Sequence, residues 1–294
     1  MLFSFKDARD YQILFLSLFL CLGLMTRDWS IRIDCIVVAI LSCLLTQFVL
    51  SFWTQYHQKQ QENYLNPSWN RILKNFPYSS LKSALITALG LSLLLRVNDV
   101  ATIAIAGCLA ISSKFLFQWK NKHFFNPANF GIILTLLLTK DAWVSPGQWG
   151  TDWVYLLLFL GLGGIVLNKV GRWDTSLIFL FTYSSLELIR NYWLGWSFDV
   201  LQHHLMNGSL IVFALFMITD PRSIPNSRIS RIVWSICLAI LVYILEHKLY
   251  LKTSLFWSLF ILSPFTLILD MTWKEVQFNW NYLGFSSKSI PRIT

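Results

Sequence analysis

Apolar runs of about bilayer length recur along this chain with only short polar connections between them. That recurrence excludes most folds open to 294 residues. A bilayer core takes about 20 apolar residues per helix, and on that ruler the sequence divides into ten segments. Their spans are 11–25, 32–53, 80–95, 98–117, 127–139, 152–168, 173–194, 204–219, 230–247 and 253–271. Trp29, Trp53, Trp119, Trp153, Trp173, Trp193 and Trp273 fall at or near span ends, where an indole keeps its N–H wet and its ring among headgroups. The fold class expected is therefore an all-α integral membrane protein of about ten transmembrane helices. It occupies 1–294 as a single polytopic membrane domain.

Composition agrees, since 55% of residues are hydrophobic and 13% charged, which leaves no soluble domain of any size. The formal charge of +9 would suggest nucleic acid in a soluble protein. Here the basic residues lie between apolar runs, so no nucleic-acid partner is expected and the bilayer itself is the partner. Counted by side, 16 Lys and Arg fall with the termini and seven opposite, with Lys114 left inside a span. The positive-inside rule then puts both termini in the cytoplasm, in a bacterial-type inner (plasma) membrane. The first run follows Lys6 and Arg9 but offers no small-x-small cleavage site, so it is expected to stay as a span.

Cys21, Cys35, Cys43, Cys108 and Cys237 sit inside apolar runs without a Cys-x-x-Cys pair, and are expected to be buried small hydrophobes. The longest polar stretch, 54–79, is expected to be an interfacial connection with Asn66-Pro67 in it. No phosphate-binding glycine loop occurs in the chain, so nucleotide-driven or NADH-oxidising activity would come from a partner. Ten spans divide into two sets of five, and an odd number per set turns the second set upside down: a 5+5 inverted repeat. Spans 80–95 and 204–219 would be counterparts, both short and rich in small residues.

Two strings stand out. In Phe125-Asn126-Pro127-Ala128-Asn129, Pro127 takes the first turn of the short fifth span and Asn126 its N-cap. Such a helix start suits a phosphate or other anion, or it is simply well capped. In Phe216-Met217-Ile218-Thr219-Asp220-Pro221-Arg222, Asp220 ends span eight with Arg222 as a candidate partner, or merely punctuates the turn. Lys114 either snorkels to the cytoplasmic interface or reaches an anionic cofactor beside Asn126. Glu187 and Arg190 stand at i,i+3 spacing and are expected to neutralise each other. His203 and His204 are adjacent, point about 100° apart on a helix and cannot clamp one haem iron. No nucleophile–base pair or carboxylate dyad is visible, so the chain shows no self-contained active site.

In register, these strings resemble a known family. Ser83-Ala84-Leu85-Ile86-Thr87, Phe125 to Ala128, His204-Leu205-Met206-Asn207-Gly208 and Phe216 to Pro221 are similar to motifs of RnfD in the Rnf electron-transport complex and of NqrB in the sodium-pumping NADH:quinone oxidoreductase. The resemblance covers 80–294. It implies a ten-helix inverted-repeat subunit that holds flavin, sometimes quinone, and passes electrons to other membrane redox subunits of a cation-pumping assembly. The residues it points to are Ser83, Thr87, Lys114, Asn126, Pro127, Asn129, His204, Gly208, Thr219 and Asp220. The family's Asp-x-x-Ser-x-Ala-Thr motif for covalent FMN has no counterpart in 139–151, and Asp174-Thr175-Ser176 lies at the wrong end of span seven. FMN or riboflavin is therefore expected to bind without a covalent bond. The rival expectations are a secondary carrier for a small anionic or flavin-like solute, and a purely structural subunit.

Overall fold

A computed structural model describes residues 7–26, 30–61, 76–145 and 153–278, with side chains at 26, 59–61 and 153–156 excepted. Asn66-Pro67, Trp29 and Thr151 lie outside the described residues.

Helices dominate. Apolar chain in lipid has no water for its backbone groups, and helices bond them internally. In chain order they are α1 (Ala8–Thr26), α2 (Ile33–Gln61), α3 (Ser79–Leu94), α4 (Val100–Leu116), α5 (Pro127–Leu138), α6 (Trp153–Val170), α7 (Trp173–Trp193), α8 (Phe198–Leu205), α9 (Gly208–Val212), α10 (Arg228–His247), α11 (Ser254–Leu262) and α12 (Phe265–Thr272). A π-helical turn, Phe213–Met217, continues α9. Among the described residues three helices are long and apolar enough to cross a membrane: Ala8–Met25, Ile33–Gln58 and Arg228–His247. Two bent pairs raise this to five if each is one span, and four shorter apolar helices accompany them. Leu41, Leu45, Val49, Phe181 and Ile189 are exposed on outer faces, as lipid-facing side chains are. The protein is a multi-pass, all-α membrane protein.

Two expected spans are broken. The run 204–219 begins earlier, at α8, and bends by 49° between Leu205 and Gly208; the run 253–271 bends by 47° between α11 and α12. Asn207 causes the first break, because its side chain accepts from Ser209 N and starts a new helix. Pro264 marks the second, since proline lacks the N–H a continuing helix needs. The expected polar connection also starts late, because Thr54 to Gln61 continue α2. The cysteines are all free, but only Cys43 is buried; Cys21, Cys108 and Cys237 are exposed and Cys35 is intermediate. An apolar environment of lipid suits a thiol as well as a core does, so apolar flanks do not distinguish the two.

α1 packs on α3, α2 on both α3 and α4, and α4 on α5. Later in the chain α6 packs on the π-helical turn, α7 on that turn and on α10, and α10 on α11. Between these groups α1 meets α6 and α5 meets α11. Glycine permits the closest approaches: a Cβ on Gly131 would lie 2.8 Å from Ala106 O, and one on Gly107 would strike the Ser42 hydroxyl.

Each end of the bundle is closed by a short ribbon. On one face β2 (Gln118–Trp119) and β3 (Lys122–His123) form a hairpin whose turn residues Lys120 and Asn121 take φ of 49° and 62°. On the opposite face β1 (Leu95–Val97) pairs antiparallel with β4 (Ala142–Val144). The hairpin face is fastened by buried charges. Lys122 Nζ lies 2.6 Å from Asp270 Oδ2, and Arg231 grips Asp174 through Nη2 at 2.7 Å and Nε at 3.1 Å.

Candidate functional site

On the hairpin face α1, α3, the start of α5 and the segment from Val212 to Pro221 converge on a crevice of about 60 Å³. Its floor is apolar, with Leu16, Ile86, Val212 and Phe216. Its rim is polar, with Ser83, Thr87, Asn126 and Asp220 beside Arg9 and Gln12 of α1.

Asn126 folds as its sequence dictates: extended at φ −67°, ψ 123°, it accepts from Asn129 N at 3.0 Å, and Pro127 follows at the first helical position. Its amide also donates to Met217 O at 3.1 Å, which ties the helix start to the π-helical turn. That bond brings the two distinctive strings together. They are 91 residues apart in sequence.

Asp220 accepts from Arg222 N at 3.1 Å, but its side-chain partner is His123, at 3.4 Å, rather than the expected Arg222 guanidinium. That guanidinium instead donates to Asn121 O in the hairpin turn, because the turn carries Arg222 past the carboxylate. Burial raises the Asp220 carboxyl, yet the hydrogen bonds from His123 and Arg222 N together with the Arg222 charge hold the group below its ordinary value. Burial alone dominates at His123 and lowers its imidazole, so the neutral ring is favoured.

Beside the crevice lies a larger cavity of about 290 Å³, with Arg9 and Ser83 in both walls. Lys114 reaches into it, 7% exposed, and donates to Ser83 Oγ at 3.1 Å. On the opposite face a third cavity, of about 330 Å³, is lined by Tyr183, His204, Asn207, Ser209, Glu246 and Lys252 among others.

The ten residues singled out from sequence do not form one site. Ser83, Thr87, Asn126, Pro127 and Asp220 share the crevice, and Lys114 joins the adjoining cavity through Ser83. Asn129 is fully buried and turns away, donating to Phe256 O at 3.1 Å, and Thr219 is spent on Leu215 O. His204 lines the cavity on the far face, while Gly208 is buried at the start of α9. Both lie toward the far end of the bent span whose other end, Val212 to Pro221, lines the crevice.

Glu187 and Arg190 do not neutralise each other. Glu187 bonds His247 and Arg190 stacks over the Trp196 ring at 4.6 Å. Glu187, Glu246 and His247 together place ligand-capable atoms within 4.8 Å of one another. His204 lies with this group, its Nδ1 3.8 Å from Glu246, and its ring centroid is 6.2 Å from that of His247. The sequence gives no spacing signal for Arg9, Gln12 or Gln47, which enter from α1 and α2; a polar residue in an apolar run is the one cue, and many such residues face headgroups.

Residues 137–279 match the NQR2, RnfD, RnfE family model. Two of the four motifs, Ser83 to Thr87 and Phe125 to Ala128, lie before that stretch, and the other two lie within it. Among curated proteins the chain is similar to the D component of the ion-translocating oxidoreductase complex from two strains of Buchnera aphidicola subsp. Acyrthosiphon pisum, 5A and APS. Each is 28% identical over 99 residues, which is 33% of this chain. The matched stretch spans 28% of the length of those relatives. Carried by its second half and joined by the motifs of its first, the resemblance of this protein is to the NQR2, RnfD, RnfE family.

Proposed function

We infer that the chain is a membrane electron-transfer subunit of an ion-translocating redox complex and that it holds FMN or riboflavin without a covalent bond. The observation that carries this reading is the crevice. An apolar slot rimmed by the Asn126 amide, the Asp220 carboxylate and two hydroxyls offers the mixture that a flat heteroaromatic ring with N–H and C=O edges needs. At about 60 Å³ the slot is smaller than such a ring, so binding requires it to widen. Bound there, a flavin supplies the redox chemistry; the protein supplies position, hydrogen bonds and exclusion of water. Asn126 and Asp220 orient the polar edge, and His123 holds the carboxylate in place.

The architecture belonging to this reading is a single domain of ten spans arranged as a 5+5 inverted repeat with both termini cytoplasmic. The helix neighbours support it. Spans one to five pair as 1–3, 2–3, 2–4 and 4–5, and spans six to ten pair as 6–8, 7–8, 7–9 and 9–10 when each bent pair counts once. Pairs 1–6 and 5–10 are those a two-fold axis relates to themselves, while 3–4, 3–5 and 6–7 have no counterpart of comparable extent among the described residues. The name of the relatives supports other redox-complex subunits as partners; quinone as acceptor rests on the motif resemblance alone. The broken spans favour a secondary carrier as the runner-up reading.

The test is the visible spectrum of the full chain purified in detergent, followed by acid denaturation. Flavin absorbance that passes into the supernatant supports the reading. Flavin fluorescence retained on the denatured band contradicts the non-covalent part. A colourless protein that also binds no added flavin contradicts it altogether, and solute flux into proteoliposomes then favours the carrier.

A further inference from the structure

The cavity beside the crevice is lined by more positive charge than its neighbours neutralise. Arg9 is taken up by Asp7, with Nη2 to Oδ2 at 2.7 Å, and Lys82 by Asp10. Asp220 is hydrogen-bonded to the neutral His123 ring, so its carboxylate offsets one of the remaining positive charges without touching either. After those pairings no carboxylate among the described residues lies within 4 Å of the Lys114 ammonium or the Arg222 guanidinium. Lys114 is 7% exposed with a serine hydroxyl as its hydrogen-bond partner. A buried ammonium in that state costs several kcal/mol unless an anion joins it.

A second, independent observation comes from neutral groups on the same wall. Gln47 is 5% exposed and donates to Ser51 Oγ at 2.8 Å, but its Oε1 has no partner. The Ser80 hydroxyl also lacks one. Both line this cavity. Buried polar atoms are nearly always satisfied, so two orphans facing one space point to something that occupies it. Ser80 lies in the first turn of α3, a 16-residue helix whose positive dipole end faces the same space. The ligand must accept from an ammonium, a guanidinium and a hydroxyl, and also donate to a carboxamide oxygen. A phosphate monoester does both, because near neutral pH one of its oxygens is part-time protonated; a phosphodiester lipid accepts through its phosphate and donates through a headgroup hydroxyl or ammonium.

We propose that the cavity formed by Lys114, Arg222, Arg9, Gln47 and Ser80 is a phosphoryl-group site, taking the phosphate of a soluble monoester or of an anionic phospholipid headgroup. The proposal stands apart from the flavin reading, since inorganic phosphate tests it without a flavin. If a flavin occupies the crevice, the shared wall of Arg9 and Ser83 makes FMN, not riboflavin, the form whose tail this cavity holds.

The full chain in detergent is titrated with inorganic phosphate, FMN and riboflavin, and reconstituted in nanodiscs with and without anionic phospholipid. Lys114→Met and Arg222→Gln are the variants, Lys114→Arg the rescue, and Glu246→Gln on the opposite face the control. A monoester site gives phosphate binding, and FMN binds about tenfold more tightly than riboflavin, the order of one charge-assisted hydrogen bond. Lys114→Met removes that preference and Lys114→Arg restores it. A lipid site gives equal FMN and riboflavin affinities, with stabilisation by anionic lipid that Lys114→Met loses and Glu246→Gln keeps. Phosphate binding without any flavin binding defeats the flavin reading and leaves the site standing. Flavin binding without FMN preference, together with phosphate and anionic lipid acting equally on wild type and Lys114→Met, overturns the proposal. Should Lys114→Met fail to fold, Arg222→Gln reads the same comparison from the exposed rim.

Discussion

Two cavities of nearly equal size, about 290 and 330 Å³, lie on opposite faces of the bundle and differ in charge. The first gathers Lys114, Arg9 and Arg222; the second has Glu246 with Tyr183 and His204, and Lys252 at its edge. In the proposed inverted repeat their walls come from corresponding spans. Lys114 lies near the end of α4 as Glu246 lies near the end of α10, and Gln47 on α2 answers to Tyr183 on α7. The difference lies in what each buried charge touches. Glu246 accepts from Tyr183 OH at 3.0 Å and from Ser254 Oγ at 3.4 Å, and Glu187 behind it bonds His247. The acidic cavity is internally satisfied and the basic one is not. An arrangement that closes its own hydrogen bonds does structural work, whereas one that leaves donors over is built around a missing partner.

The largest expected effect separates those two roles on a single face. Asp174 and Arg231 are both buried and joined by three hydrogen bonds, and Arg231 also donates to Asn226 O. Arg231→Met leaves a buried carboxylate without its main partner and should cost about 3–5 kcal/mol. Arg228, 3.9 Å away and exposed, replaces little of it. Lys114→Met removes a charge that has no carboxylate within 4 Å and should leave the melting midpoint unchanged or raise it. Thermal unfolding of both variants in one detergent, without added phosphate, checks the pair. Equal losses would erase the distinction between structural and ligand-binding charge.

Next in size is Asn126→Leu, which tests whether the crevice or merely a helix cap depends on this residue. Its side chain makes two bonds, one capping α5 and one to Met217 O. Flavin binding should weaken by about 1–2 kcal/mol, the order of one lost cap or hydrogen bond, with the fold still assembled. Titration beside a thermal melt reads both. A loss of stability as large as the loss of affinity would make Asn126 a cap and nothing more.

How much of this is legible in the sequence depends on the range of the interaction. Local signals are legible: the Asn126 cap, Pro127 at the first turn, and apolar runs that coincide with helix. Partners more than a turn or two apart are not. Glu187 and Arg190 look like a pair because i,i+3 and i,i+4 are the proximities a single helix displays, yet Glu187 pairs with His247, 60 residues on. Lys114 shows two options because Ser83, 31 residues earlier, carries no charge to announce itself. The break at Asn207 is hidden for another reason, since a cap in the middle of an apolar run reads equally well as a polar residue within one span.

A smaller effect is expected in the acidic cavity. Tyr183→Phe deletes one hydroxyl that donates to Glu246, while Ser254 and His204 remain beside the carboxylate. The cost should be about 1 kcal/mol, with FMN and phosphate affinities unchanged because the cavity is on the other face. A change in phosphate affinity here would show that the two cavities communicate, and the contrast between them would have to be redrawn as one coupled path.

The smallest expected effect is a pH dependence that belongs to the basic side. His123 and Asp220 both have pKa values below their ordinary ones in the folded protein. For the histidine, the unfolded chain takes up a proton as pH falls through about 6.5, the ordinary imidazole value, while the folded chain does not until a lower pH. Unfolding is therefore favoured progressively on acidification below that point. For the aspartate the same sign applies in a lower window, because stability present above about 3.9 is lost as pH falls through the folded value. The two windows together give a melting midpoint that declines from mildly acidic pH downward. In His123→Gln the upper part of the decline should vanish, because glutamine does not titrate and its amide can still donate to Asp220. Melting curves between pH 7.5 and pH 5 on wild type and His123→Gln, about the range over which an imidazole changes charge, make the measurement. A decline that survives in His123→Gln would show that the pH dependence does not belong to the basic side of the comparison.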